Sequence, residues 1–190
     1  DSEKARELLE DVLKDNKSWL ICHAIFANFS IHAGFNSGDE SLIEPAVERL
    51  LATSRFADET PLLLHETLFG LTHAIQWRKK EARPIDDLKD QAFTIAESLA
   101  KHQKYTIGVQ SCAHFYDTIG ESEKAIELWS QLLDCGSEMT RWAAIAGLMR
   151  YQSTEELLSQ VKTCHNLSND AWSRIGLAYL LADTSDRGGD

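Results

Sequence analysis

Proline and long apolar runs are both scarce in this chain. Its 190 residues include three prolines, so few positions interrupt a regular helix. No apolar run approaches the roughly 18 residues that indicate a membrane-spanning helix. The opening residues, DSEKARELLED, lack the positive charge and the apolar stretch of a signal peptide. These absences predict a cytoplasmic protein that does not have a membrane as its partner.

Basic residues are also in short supply. Nineteen lysines and arginines stand against thirty aspartates and glutamates, which gives a net charge of −11. Such an acidic chain is repelled by a nucleic-acid backbone and by an anionic membrane surface. The apolar fraction of 43% is that of a folded globular domain. We therefore expect a protein or peptide partner and no nucleic acid.

Signatures of catalytic and metal sites are missing as well. The sequence has no CxxC pair, no glycine-rich phosphate loop and no serine turn of the GxSxG type. HETLF at His65 begins like the zinc-protease helix motif, but Phe69 stands where the second histidine ligand must be. His65 and His73 share a helical face, yet no third ligand follows at a recognisable spacing. We predict no catalytic residue, no metal ion and no cofactor.

The cysteines favour the same conclusion. They are spread widely over a chain of helical composition, at Cys22, Cys112, Cys135 and Cys164. That spacing favours buried reduced thiols over a secreted disulfide framework. Cys22 and Cys164 each precede a histidine, but neighbours on a helix point about 100° apart. Neither pair therefore reads as a thiolate beside its imidazole base.

Apolar residues recur at helical spacing nearly throughout, and alanine, leucine, glutamate and lysine are abundant. This pattern predicts an all-α protein of about ten helices. Their approximate ranges are 2–14, 17–34, 40–55, 61–80, 85–102, 105–119, 121–134, 138–151, 154–165 and 169–182. Short polar breaks such as NSGD and CGS favour antiparallel packing of neighbours. The basic cluster WRKKEAR at Trp77 ends a helix, where cations meet the helix dipole, and this favours a structural role over phosphate or RNA binding.

Two similar segments occur in the chain, SEKARELLEDVL from Ser2 and SEKAIELWSQLL from Ser122. The helices that alternate with such segments share a second pattern, in which a small residue sits between bulky ones, as at Ala113, Ala146 and Gly176. A small side chain lets a second helix approach closely while the bulky ones fill the space beside it. The recurrence predicts helical hairpins stacked into an α-α superhelix.

Here the sequence resembles the tetratricopeptide repeat (TPR) family. The match is best from Val109 to Ser137, where the residues at the family's offsets are Ala113, Tyr116, Gly120, Ala125, Trp129 and Leu132, and it returns at WSRIGLAY from Trp172. Two features depart from the family. Ser137 stands where the family has the proline that closes a repeat. The distances in sequence between successive small residues are 43, 43, 33 and 30 for Ala27, Gly70, Ala113, Ala146 and Gly176, whereas the family's repeat length is about 34. We predict one helical-repeat domain over 1–185, with longer, looser hairpins in 1–104, TPR-like hairpins in 105–182 and a polar tail at 183–190.

The resemblance implies a function for the first helix of each hairpin, which lines a concave surface in the family. The polar candidates off the packing positions are Asn28, His32, Gln110, His114, Asp117, Arg150 and Arg174. The apolar ones are Ile31, Leu71, Ala74 and Leu177. A groove of this mixed character suits an extended peptide or a partner helix. It implies a non-catalytic protein–protein interaction or scaffold module.

Two other functions stay open at this point. In the first, the helices close into an α-α toroid enzyme whose single deep pocket gathers His65, Glu66, His73 and His114. In the second, the chain is a regulatory arm that docks onto a catalytic domain in a longer protein. An apolar stripe on an unpaired terminal helix would also promote self-association.

Overall fold

The computed structural model describes residues 19–55, 60–135 and 137–163, together with the single residues 4, 7, 8, 11 and 178. Within these ranges the chain forms eight helices and no strand, so the all-α prediction is confirmed there. The helices are α1 (Leu20–Ser37), α2 (Glu40–Ser54), α3 (Pro61–Lys80), α4 (Asp86–Ala100), α5 (Thr106–Ile119), α6 (Ser122–Cys135), α7 (Glu138–Leu148) and α8 (Thr154–Thr163). The predicted helices 2–14 and 169–182 lie almost wholly outside the described residues.

Helix ends follow local signals in the sequence. The side chains of Asp39, Thr60 and Ser137 each accept a hydrogen bond from a backbone N–H of the first turn that follows, as helix N-caps do. Helix α1 continues to Ser37 instead of ending at residue 34, because Gly38 supplies the left-handed conformation, with φ of 71°, that terminates it.

The chain divides into two compact units, Asp1–Ser111 and Cys112–Asp190, and the division falls within α5. The prediction of a single domain with a change of character at residue 104 stays a prediction, and the predicted tail 183–190 lies outside the described residues. Among the described helices, none has the length and apolar character needed to cross a membrane.

In the first unit, helices that are neighbours in sequence are also neighbours in space. Helix α1 packs on α2 and α3, and α3 packs on α2 and α4. The predicted small residues Ala27 and Gly70 are buried here. The expectation that Ile31, Leu71 and Ala74 line a groove is wrong, because all three have no exposed surface and belong to the core.

The two arginines of the basic cluster at the end of α3 form ion pairs. Arg78 lies 2.9 Å from carboxylate oxygens of both Glu44 and Asp87, and Arg83 pairs with Glu40. The Arg83 guanidinium also lies 4.6 Å from the centre of the Trp77 ring, a cation–π contact. These side chains tie α2, α3 and the start of α4 together, which is the structural role expected of them.

The second unit places the TPR-like positions inside. Ala113, Ala125, Trp129 and Leu132 have no exposed surface, and α6 packs on α7. The close approach between these two helices occurs at Gly147, where an added Cβ would lie 2.5–2.7 Å from atoms of the Trp129 indole.

The prediction placed this small residue at Ala146, one position too early. The predicted pattern took Trp142 and Met149 as the bulky residues on either side of Ala146, but all three are half-buried. Helix α7 instead turns Arg141, Ala144, Ile145 and Leu148 inward. Anchoring the pattern on tryptophan as the bulky residue caused the error, because Arg141 occupies the inward position. The corresponding Gly176 lies outside the described residues.

Candidate functional site

The first unit contains a cavity of about 620 Å³ between α1 and α3, which we call the α1/α3 cavity. Ile25, Phe29, His32 and Asn36 line it at intervals of three or four residues, so they share one face of α1. The remaining lining residues are Asn28, Ala33 and Ser37 of α1, and Glu66 and Phe69 of α3. Its size falls in the range of protein ligand pockets.

Aromatic and imidazole rings form a cluster at this site. On α3, His65, Phe69 and His73 follow one another at intervals of four residues, which places them on one face. The His73 ring centre is 4.4 Å from that of Phe69 and 4.4 Å from that of His32 on α1. The Nδ1–H of His73 donates to the Phe69 carbonyl oxygen at 2.9 Å. The proton of neutral His73 therefore resides on Nδ1.

Burial keeps two of these histidines uncharged. Desolvation lowers the pKa of His65, against the opposing attraction of Glu66. Desolvation also lowers the pKa of His73, the Phe69 carbonyl opposes this shift, and the neighbouring His32 adds to it. Because both pKa values fall below 6.5, the rings of His65 and His73 are neutral near pH 7. They present aromatic surface instead of positive charge.

These lowered pKa values predict an acid-sensitive fold. In the unfolded chain the two histidines bind protons with a pKa of 6.5, so in the window below this value the unfolded state holds more protons than the folded state. The free energy of unfolding should therefore fall as the pH drops from 6.5 towards the folded-state pKa values. Urea unfolding followed at a series of pH values measures this loss.

The variant His73→Gln tests the origin of the loss. Glutamine does not titrate, and its amide can still donate to the Phe69 carbonyl, so the variant should lose less stability on acidification than the parent. The exposed His102 supplies the matched control, His102→Gln, which should leave the dependence on pH unchanged. An identical pH dependence in the parent and in His73→Gln would contradict this account.

Glu66 is the one carboxylate among the described residues that line the cavity. The Nδ2 group of Asn28 donates to the Glu66 carboxylate at 2.7 Å and to its main-chain oxygen at 3.0 Å. Asn28 is 7% exposed, so it holds the carboxylate in place and offers little surface to a ligand. Within the described part of the chain no lysine or arginine pairs with Glu66.

A histidine–serine contact lies nearby, but its geometry does not suit catalysis. His65 Nδ1 is 2.7 Å from the Ser111 hydroxyl, the arrangement of a nucleophile and its base. Ser111 is only 4% exposed, and neither residue lines the cavity, so a substrate carbonyl cannot reach the hydroxyl. The contact instead fixes the orientation of the His65 ring on α3.

The Cys112 thiol is also unsuited to catalysis. Burial raises the pKa of the Cys112 thiol to about 12, so this thiol is not a nucleophile at neutral pH. Among the described residues, no group of three histidine, cysteine or acidic side chains is arranged to hold a metal ion.

The predicted partner-binding residues separate into different environments. Asn28 and His32 line the α1/α3 cavity. In the second unit Asp117 pairs with Arg150 and accepts a hydrogen bond from the Tyr151 hydroxyl, and the His114 ring meets Trp129 edge-on at 4.8 Å. Gln110 is half-buried on α5. Arg174 and Leu177 lie outside the described residues.

Sequence reasoning missed Phe29 and Phe69 as lining residues. Phe29 is 41% exposed and faces the cavity, whereas Phe26 is buried against the other side of α1, with the Arg49 guanidinium 4.4 Å from its ring centre. The missed signal is the spacing of Ile25, Phe29, His32 and Asn36, which places two apolar and two polar side chains on one further face of α1. Glu66 had been considered only as a residue of the toroid enzyme.

No family model matches the chain, and it matches neither a curated protein nor a solved structure.

Proposed function

We propose that this chain is a non-catalytic interaction module, built of TPR-like helical hairpins, that holds a peptide or a partner helix in the α1/α3 cavity. The observation that carries the proposal is the character of this cavity. Its walls include Ile25, Phe29 and Phe69, and polar groups such as Asn36 and Ser37 stand among them. Apolar surface with a few directional polar groups is typical of peptide-binding grooves.

The exposure of Phe29 supports this proposal. The Phe29 ring is 41% exposed in a concave site. Covering it with a ligand lowers the free energy, because apolar surface is removed from water. Aromatic side chains in such pockets commonly anchor protein interfaces.

The toroid enzyme fits less well. Of the three residues on α3 that it would use, only Glu66 lines the cavity, while His65 and His73 form part of its surroundings. His65 and His73 are engaged with Ser111 and the Phe69 carbonyl. A regulatory arm would dock onto a catalytic domain through the first predicted helix, 2–14, which lies almost wholly outside the described residues. The proposed setting is the cytoplasm.

Site-specific photo-cross-linking tests the proposal. A photoreactive phenylalanine analogue is placed at position 29, and at position 35 as the matched control, because Phe35 lies on the same helix, is 37% exposed and does not line the cavity. In cells that naturally make the protein, the probe at position 29 should join one recurring protein segment, identified by mass spectrometry. The probe at position 35 should not.

Two alanine variants complete the design. In affinity pull-downs of that segment by chains without a photoreactive residue, Phe29→Ala should abolish capture and Phe35→Ala should leave capture intact. Equal capture by both variants, or no cross-link that depends on position 29, would refute binding in this cavity.

A further inference from the structure

We infer that the segment bound in the α1/α3 cavity carries a lysine or arginine side chain, whose cationic end pairs with Glu66 while its aliphatic stem lies along the aromatic wall. This inference rests on the proposed function and specifies the chemistry of the partner. It makes the module a reader of basic peptide segments.

The state of Glu66 supplies the first argument. Three other carboxylates of this unit pair with arginines: Glu44 and Asp87 with Arg78, and Glu40 with Arg83. Glu66 is half-buried and receives one hydrogen bond from the Asn28 amide to its carboxylate. A partly desolvated carboxylate that pairs with no lysine or arginine of the described residues favours a ligand that brings a cation.

The rings around Glu66 supply the second argument. Phe29 and Phe69 line the cavity from opposite helices, and the His32 ring centre is 5.8 Å from that of Phe69. The stem of a lysine or arginine packs well on such apolar surface, and the cation is attracted to the faces of aromatic rings. Since His73 is neutral near pH 7, the cluster behind the cavity does not repel the cation through that residue.

Charge excludes other classes of segment. Among the described residues that line the cavity, none is a lysine or an arginine, and the whole chain carries a net charge of −11. An acidic segment meets repulsion from Glu66 and from the net field of the protein. A wholly apolar segment would bury Glu66 further without a partner for it, which is costly.

The length of the lined face favours a peptide over a small amine. Ile25 and Asn36, both in the lining, stand eleven positions apart on α1, so the face extends about 16 Å at a rise of about 1.5 Å per residue. One side chain fills only part of this length. A peptide places its basic residue at Glu66 and covers the remainder with neighbouring apolar side chains.

Selection from a random peptide library tests the inference. Displayed peptides of about 12 residues, long enough to cover the lined face as a helix, are selected on the intact chain, and peptides that also bind the Phe29→Ala variant are discarded. The surviving peptides should be enriched in a lysine or arginine flanked by apolar residues. A leading peptide is then synthesised, and its dissociation constant is measured by calorimetry.

Three substitutions decide the outcome. Glu66→Gln keeps the shape of the side chain and can still accept a hydrogen bond from Asn28. It should weaken peptide binding about tenfold, because the negative charge that faces the peptide's cation is lost. Replacing the peptide's basic residue with norleucine should weaken binding similarly. Glu97→Gln, which removes an exposed carboxylate on α4, should leave affinity unchanged at moderate salt.

The failures are distinguishable. Peptides that depend on Phe29 but show no basic enrichment, or that bind Glu66→Gln as well as the parent, would overturn the inference and leave the proposed function standing. Recovery of no peptide that depends on Phe29 would overturn both.

Discussion

Replacing Trp129 with alanine is expected to lower the free energy of unfolding by about 4 kcal/mol, as large-to-small changes at buried tryptophans do. Trp129 has no exposed surface. It fills the space where α6 meets α7, directly against Gly147, and its ring also supports His114. Neither helix can collapse into the vacated volume without breaking its other contacts. Denaturant unfolding followed by far-ultraviolet circular dichroism measures the loss.

Two further variants serve as controls for this result. Trp129→Phe should lose only about 1–2 kcal/mol, because much of the volume remains and the buried indole N–H, which has no partner among the described residues, disappears. Trp142→Ala removes a half-buried tryptophan from α7 and should cost clearly less than Trp129→Ala. Equal losses at positions 129 and 142 would contradict the packing described for this unit.

Introducing a methyl group at Gly70 is expected to cost about 3 kcal/mol, at the upper end of overpacking effects. An added Cβ would collide with the Asn28 amide oxygen and would lie 2.5 Å from a methyl carbon of Leu50. The Asn28 amide cannot move aside freely, because its NH₂ group is bonded to Glu66. Unfolding of Gly70→Ala in urea measures the cost.

A double-mutant cycle identifies the collision as the cause. Asn28→Ala alone should be destabilising, since Glu66 loses its donor, but in the Gly70→Ala background it also removes the obstacle. The double variant should therefore be more stable than the sum of the two losses by about 1–2 kcal/mol, within the range of coupling between contacting residues. Strict additivity would contradict the proposed contact.

This cycle also connects stability to the candidate site. Gly70 lies behind the α1/α3 cavity, and the residue that it accommodates, Asn28, is the one that positions Glu66. The absence of a side chain at position 70 thus permits the arrangement by which a carboxylate faces the cavity. We expect substitutions at Gly70 to affect ligand binding even where the protein remains folded.

Helix positions could be predicted closely because their signals are local. The range 61–80 coincides with α3, since Thr60 caps the helix, Pro61 occupies its first turn and basic residues end it. The end of α1 could not be placed in this way, because a glycine can either end a helix or lie inside it where another segment approaches closely. Gly34 lies inside the helix, where an added Cβ would be 2.6 Å from Ile43, and the terminating glycine is Gly38.

The candidate site was much less accessible to prediction. Its two sides come from 25–37 on α1 and from Glu66 and Phe69 on α3, and no local pattern reports that these segments meet. Spacing placed Asn28 and His32 among the binding candidates. It also placed Ile31, Leu71 and Ala74 among the binding candidates. Each residue turns a helix by about 100°, so a repeat pattern that is misaligned by one residue assigns buried positions to the surface.

By itself, then, the sequence determined the helical class, those helix ends that carry an unambiguous local signal and the scarcity of basic groups, since these depend on composition and on interactions within a few residues. Tertiary structure alone decided which residue lies at each close approach, Gly147 and not Ala146, and which carboxylate is left facing a cavity. Those outcomes depend on the relative rotation of packed helices. That rotation is set by the sum of many side-chain contacts between segments distant in sequence, which no single segment encodes.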